Sequence, residues 1–141
     1  MKKISLEEFK ITSKIALKEQ VTTYDLEASK DKIENELNSV SKKLGKLQNT
    51  MYAHGKYAVL ICLQGMDTAG KDSLVREVFK EFNVRGIEVH SFKVPTEVEL
   101  KHDYLWRHYI VLPERGKFGV FNRTHYENVL VTRVHPGYIL G

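Results

Sequence analysis

The chain has 141 residues, enough for one domain with a real core and too few for two of ordinary size. Charged residues at 28% and hydrophobic ones at 42% describe a globular chain rather than a disordered one, and the net charge of +4 is a modest basic bias that suits a polyanionic substrate without requiring one. The single Cys62 excludes an intrachain disulfide framework and a cysteine-rich zinc site; inside an apolar run it reads as a small buried hydrophobe. The amino terminus is polar from Lys2 onward and no run approaches the roughly 18 to 20 apolar residues of a membrane span, so the default location is cytoplasmic and no membrane partner is expected.

Three regions follow in chain order. Residues 1–25 read as an amino-terminal arm, where Ser5 and Glu8 have capping-box spacing. Residues 26–55 read as a long amphipathic helix: Ile33, Leu37, Val40, Leu44, Leu47 and Met51 recur at steps of three and four, Lys42, Lys43 and Lys46 form a wet face, and Gly55 supplies a stop. That stripe serves either a coiled-coil seam or packing against the domain or a second subunit, and Gly45 favours the latter two.

Residues 56–141 read as an α/β core. The apolar run from Tyr57 to Leu63 is a first strand, Ser73 to Phe82 a helix ended by Asn83 or Gly86, and Ile87 to Phe92 a second strand by its alternation. After Pro95, Thr96 and Glu99 have capping-box spacing and open a helix running to about Ile110, with Pro113 and Gly116 at its exit. Phe118 to Phe121 is a third strand, and Thr124 to Val134 a last helix closed by His135-Pro136-Gly137. Strands alternating with helices predict a parallel, helix-covered sheet. Three strands make a small one, and a parallel core normally has neighbours on both sides of its apolar first strand, so one edge is expected to be bare unless another chain or missing sequence covers it, and self-association is expected.

Between the first strand and its helix lies Gly65-Met66-Asp67-Thr68-Ala69-Gly70-Lys71. Glycines at both ends let consecutive backbone N–H groups point inward, and the following helix offers an amino end that favours anions. The cradle comprises Gly65, Met66, Thr68, Ala69 and Gly70, with Asp72 and Ser73 behind it. Lys71 is placed to act as a point charge on phosphoryl oxygens, its alternative being a surface lysine in a turn. The usual phosphate loop has Ser or Thr directly after the lysine to hold magnesium; here Asp72 intervenes before Ser73. Asp67 can compensate as a hard oxygen ligand for Mg²⁺ or can cap the turn, and Asp72 suits the first helical turn as a charge opposed to the helix dipole. At the end of the third strand, Arg123 can grip phosphate with two parallel hydrogen bonds or pair with Glu127 one turn later, and the two roles are compatible. Asn122 can orient water or substrate. The basic residues Lys93, Lys101, Arg107, His108, Arg115 and Lys117 interleave with Tyr104, Trp106 and Tyr109, but no nucleic-acid-binding signature accompanies them and no nucleic-acid partner is expected. No close histidine pair has metal-site spacing.

The segments Gly65 to Lys71, Lys93-Val94-Pro95-Thr96-Glu97, Leu105-Trp106-Arg107, Phe121-Asn122-Arg123-Thr124-His125-Tyr126-Glu127 and Val129 to His135, in this order and spacing, resemble the polyphosphate kinase 2 family over roughly Lys56 to His135. The resemblance implies a P-loop kinase-like three-layer fold, dimers or tetramers, and magnesium-aided phosphoryl transfer between inorganic polyphosphate and a nucleoside mono- or diphosphate. It implies that Asp67 coordinates magnesium or phosphate, that Lys71 and Arg123 stabilise the transferred group, and that Arg107 and Arg133 belong to a phosphate channel. Many family members carry Asp where Asn122 stands. The family domain normally continues past position 141 into a helical lid and further strands, so the core read here is partial and a catalytically incomplete phosphate-binding module is the alternative, with an ATP-dependent nucleotide kinase as a third reading.

Overall fold

Phe118-Gly119-Val120-Phe121-Asn122 forms the central strand, and its burial shows why: Gly119 through Asn122 are all buried, as a parallel strand flanked on both sides and covered on both faces must be. In the computed structural model, which describes residues 5, 7, 10–16, 18, 20 and 23–135, the strands are β1 (Val59–Leu63), β2 (Ile87–Ser91) and β3 (Phe118–Asn122). They make one parallel sheet in the order β1-β3-β2. The parallel α/β plan read from the sequence is therefore the observed one. The strand at the centre is the third, however, and β1 lies at an edge, pairing among the described residues with β3 alone.

That position corrects the reading of Cys62. An edge strand is only half-covered, and β1 alternates between half-buried and exposed residues, with Leu60 and Cys62 on the exposed side.

The helices are α1 (Lys30–His54), α2 (Lys71–Val78), α3 (Glu97–Leu100), α4 (Trp106–Tyr109) and α5 (Tyr126–Val134). The helix expected from Ser73 to Phe82 starts two residues earlier and stops at Val78; a turn then brings Phe79 and Phe82 edge-to-face at 5.1 Å, and Phe82 edge-to-face with Phe118 at 5.0 Å. The expected helix from Thr96 to Ile110 is two short ones. Its capping box forms as read, the Thr96 hydroxyl accepting from the Glu99 N–H and the Glu99 carboxylate from the Thr96 N–H. Asp103 then interrupts it, because its carboxylate accepts from the Leu105 N–H at 2.9 Å and starts a new turn. The Ser5–Glu8 pairing involves Glu8, and the closing Pro136-Gly137 follows His135; both lie outside the described residues.

By contact the chain divides into two compact units, Met1–Val40 and Ser41–Gly141. In the first, the Ser29 hydroxyl accepts from the Lys32 N–H at 3.4 Å at the start of α1. In the second, the rest of α1 buries Ser41, Gly45 and Gln48 rather than the apolar stripe; Leu47 stays exposed while Leu44 and Met51 are half-buried. Small and polar residues win this seam because the helix lies against backbone. Gln48, fully buried, accepts from the Asn83 N–H at 3.1 Å and donates to the Asn83 carbonyl at 3.3 Å, satisfying the turn before β2 with one side chain.

At Gly45 an added Cβ would fall inside contact distance of the Glu81 carbonyl oxygen and 3.1 Å from its carbon. Gly45→Ala is therefore expected to destabilise the protein by about 1 to 3 kcal/mol, because backbone on both sides must shift. Urea unfolding checks it, and an unchanged or raised midpoint would show that the seam is loose.

Candidate functional site

The three strands end level. Leu63, Asn122 and Ser91 are register partners across the sheet, so the segments leaving the carboxyl ends of β1, β2 and β3 converge on one place. There a cavity of about 570 Å³ is lined by Asp67, Thr68, Gly70, Lys71, Asp72 and Ser73 after β1, by Ser91, Phe92, Lys93 and Val94 after β2, and by Asn122 and Arg123 after β3. Its size suits a small-molecule site.

The turn after β1 is built by local geometry. Gly70 has φ 87°, a left-handed value that favours glycine, and it immediately precedes α2; nothing lies within 4 Å of where its Cβ would be, so conformation rather than crowding requires glycine here. Thr68 is also left-handed, at φ 64°. The Ala69 N–H donates to the Met66 carbonyl at 3.2 Å and closes the turn. Among the described residues no side chain caps α2, whose amino end opens onto the cavity beside Lys71, Asp72 and Ser73. The Lys71 ammonium bends back to donate to the carbonyls of Gly65 and Met66, both at 2.8 Å.

Arg123 faces that turn from the end of β3. Its backbone N–H donates to the Leu63 carbonyl at 3.0 Å, extending the ladder by one bond, while its φ of 64° turns the chain out of the sheet. The guanidinium stands between two carboxylates: one amino group donates to Asp67 and the other to Glu127 at 3.1 Å. The pairing with Glu127 read from the sequence is thus present together with one to Asp67 across 56 positions of chain. Asn122, 8% exposed, donates its amide to Asp72 at 2.5 Å and to Ser91 at 3.5 Å; its Oδ1 is buried and has no hydrogen-bond partner among the described residues.

Asp67, Thr68, Gly70, Lys71, Asp72, Ser73, Asn122 and Arg123 therefore share one cavity. Gly65, Met66 and Ala69 shape the turn beneath it, and Glu127 stands behind Arg123. Arg107 does not line it. This arginine is buried, donates to the Lys93 carbonyl at 3.0 Å, stands 3.3 Å from Glu99 and lies 5.1 Å over the Phe92 ring, so its charge is spent on holding the wall after β2. Arg133 is exposed in the last turn of α5 and does not line the cavity either. Sequence reading did not single out Ser91 or Phe92, whose only signal is their place at a strand's carboxyl end. It also missed Gln64 and Thr124, which contact Glu127 and each other.

Among the described residues no three His, Cys, Asp or Glu side chains gather to hold a metal ion. Magnesium does not need that many, since it keeps water and substrate phosphates among its ligands. The exposed Asp67 carboxylate is an oxygen donor of the right hardness on the cavity wall, and Asn122, which lines the same cavity, carries a buried Oδ1 without a partner among the described residues; on that chemistry the residues fit the ion.

With this geometry established, the relatives are informative. Residues 27–138 match the family model described as Polyphosphate kinase 2. An ADP-polyphosphate phosphotransferase of Rhodopseudomonas palustris is 48% identical over 108 residues, covering 77% of this chain and 37% of that protein. An AMP/ADP-polyphosphate phosphotransferase of Meiothermus ruber is 50% identical over 95 residues, covering 67% of this chain and 36% of that one. The crystal structure of Polyphosphate Kinase 2 from Arthrobacter aurescens TC1 aligns with a TM-score of 0.81 at 34% identity, over 92% of this chain and 48% of that chain. The chain thus spans between about a third and a half of the length of these relatives.

Behind the Phe92 wall, His108 is buried against Phe92 at 4.1 Å and Phe121 at 5.8 Å, with Nδ1 donating to the Tyr104 carbonyl at 3.3 Å. Burial, helped by Arg107 and His125 and opposed by the Tyr104 carbonyl and Glu99, holds its pKa below the ordinary 6.5. A native pKa below the unfolded one means the unfolded chain binds the proton first. Stability is therefore full above about pH 6.5 and falls on acidification toward the lower native pKa. Thermal midpoints measured from pH 7.5 to 5 should fall more steeply for the wild type than for His108→Phe; parallel profiles would show that His108 does not carry this dependence.

Proposed function

Because the chain belongs to the polyphosphate kinase 2 family, we propose that its cavity passes a phosphoryl group between inorganic polyphosphate and a nucleoside mono- or diphosphate. The observation that carries this reading is the meeting of Lys71 and Arg123, supplied by different strand ends, in one cavity with a glycine turn and an open helix amino end. Two cations and a helix terminus at one small site suit an anion that carries charge on several equatorial oxygens.

The reaction needs no protein nucleophile. An oxygen of the acceptor's terminal phosphate attacks the end phosphorus of polyphosphate, the bond from that phosphorus to the bridging oxygen breaks, and the shortened polyphosphate leaves with the electron pair. Lys71 reaches the migrating group by exchanging the Gly65 and Met66 carbonyls for phosphoryl oxygens, and Arg123 does so by exchanging Asp67. Both cations are thus already held by oxygens of the chain, and substrate takes over contacts shaped for oxygen. Asp67 is released by the same exchange; magnesium, when bound, would be held by Asp67 and would supply charge neutralisation on the phosphates. Thr68, Gly70, Asp72 and Ser73 complete the cradle, with Asn122 keeping Asp72 against the floor.

The same reading takes 1–25 as an arm, 26–55 as the long helix and 56–141 as a partial phosphotransferase core, in a cytoplasmic setting. Among the described residues no helix is long and apolar enough to cross a membrane. Self-association is part of it, supported by the exposed Val40 and Leu47 on α1 and by the edge position of β1.

Incubation with magnesium, polyphosphate and AMP or ADP should yield higher nucleotide phosphates. Lys71→Met should lower turnover about a hundredfold or more with little change in thermal midpoint, because the ammonium acts on developing charge and otherwise touches two loop carbonyls. Binding of polyphosphate without transfer would instead assign a phosphate-binding module, and turnover with ATP but not polyphosphate an ATP-dependent nucleotide kinase.

Asp67→Asn releases Arg123 before substrate arrives. Calorimetry should show metal-free tripolyphosphate binding tightened by more than in Asp72→Asn, which removes an equal charge from the same cavity without touching Arg123. Equal tightening in the two variants would mean that net charge, not the ion pair, governs the site.

A further inference from the structure

Arg123 has two carboxylate partners of very different character. The Asp67 side chain is 78% exposed on the phosphate turn, whereas Glu127 is 28% exposed at the start of α5. If Asp67 yields its place to a phosphoryl oxygen, as the phosphotransfer reading requires, Glu127 alone holds the guanidinium in position. What holds Glu127 then decides where Arg123 points.

A chain of hydrogen bonds answers that. The Tyr126 N–H donates to the Thr124 hydroxyl at 3.1 Å, and that hydroxyl, on a residue 1% exposed, donates to Gln64 Oε1 at 3.1 Å. Gln64 Nε2 donates to Glu127 Oε2 at 2.5 Å, leaving Glu127 Oε1 for Arg123. The sense of every bond is determined. A reversed Gln64 amide would set its carbonyl against the Glu127 carboxylate, so Gln64 presents Oε1 to Thr124, and the Thr124 hydroxyl must donate to it. Gln64 directly follows Leu63, whose carbonyl fixes the Arg123 backbone, so both halves of Arg123 are located from the end of β1.

We propose that Gln64 is a positioning residue for Arg123, orienting Glu127 so that the guanidinium stays aimed into the phosphate cavity when Asp67 lets go. An amide is the side chain this position needs. A carboxylate at 64 would repel Glu127, and an apolar side chain would leave Glu127 Oε2 and the buried Thr124 hydroxyl without their partner. Gln64 itself is exposed and contributes little buried area, so its loss acts on the geometry of Arg123 more than on the fold.

The test is a double-mutant cycle on tripolyphosphate binding, read by calorimetry with magnesium present. Gln64→Met, which keeps the length and removes both hydrogen bonds, should weaken binding roughly three- to tenfold in the wild-type background and leave it unchanged in Arg123→Ala. Glu127→Gln should weaken binding similarly, and adding Gln64→Met to it should cost little more. In turnover, Gln64→Met should raise KM for polyphosphate while leaving KM for the nucleotide in place, and the fall in thermal midpoint from the unpartnered Thr124 hydroxyl should be the same with or without Arg123. An equal effect in the presence and absence of Arg123, or no effect in either, overturns the assignment, as does absence of tripolyphosphate binding to the wild type. Tripolyphosphate binding with the expected coupling but no transfer to AMP or ADP would leave Gln64 in this role and remove the phosphotransfer reading instead.

Discussion

Registration of three parallel strands at Leu63, Asn122 and Ser91 is the constraint on which the cavity depends. A parallel ladder sends every chain out of the sheet at the same end, and equal strand lengths put those exits at one level. The Gly65–Lys71 turn, the Phe92-Lys93 wall and Arg123 come from segments far apart in sequence, yet need no long excursion to meet. Shifting β3 by a single residue would exchange its faces and carry Asn122 and Arg123 away from Asp72 and Asp67. Burial of Gly119, Val120 and Phe121 is what makes such a slip costly.

The cations of the cavity are already held by oxygens of the chain itself. Lys71 rests on two carbonyls, and Arg123 rests between Asp67 and Glu127. Each of these contacts sits at a partly or fully exposed mouth, where ion pairs are weak and readily exchanged. On the proposed reading, a phosphoryl group replaces the two carbonyls and Asp67 without leaving an unpaired charge in a dry place, while Glu127 keeps its hold on Arg123. The deeper contacts, from Thr124 and Asn122, are the buried ones, and they hold the frame while the mouth exchanges partners.

Long-range packing also explains why basic residues of similar appearance have different fates. Arg107 follows Trp106 and Arg123 follows Asn122, each a cation in a segment between apolar runs, but Arg107 is drawn into the wall by Glu99, the Lys93 carbonyl and the Phe92 ring. Its guanidinium supports the segment that carries Lys93 and Val94 into the cavity lining.

Local chemistry made much of this protein legible from its residues. The turn from Gly65 to Lys71, the Thr96–Glu99 cap, the apolar run of β3 and the helix after Thr124 follow from backbone freedom, side-chain reach and periodicity over a few positions, and the conjunction of Lys71 with Arg123 follows from the habit of parallel sheets to gather loops at one end. The bare edge was expected, but strand order was not legible, because pairing β1 with β3 depends on contacts across more than fifty residues; with it went the exposure of Cys62. The buried seam Ser41-Gly45-Gln48, the break at Asp103 and the part played by Gln64 were decided only in three dimensions. In each, one polar side chain meets a backbone group or charged partner that tertiary packing or a local turn had first to bring within reach, and hydrophobic periodicity carries no record of such a meeting.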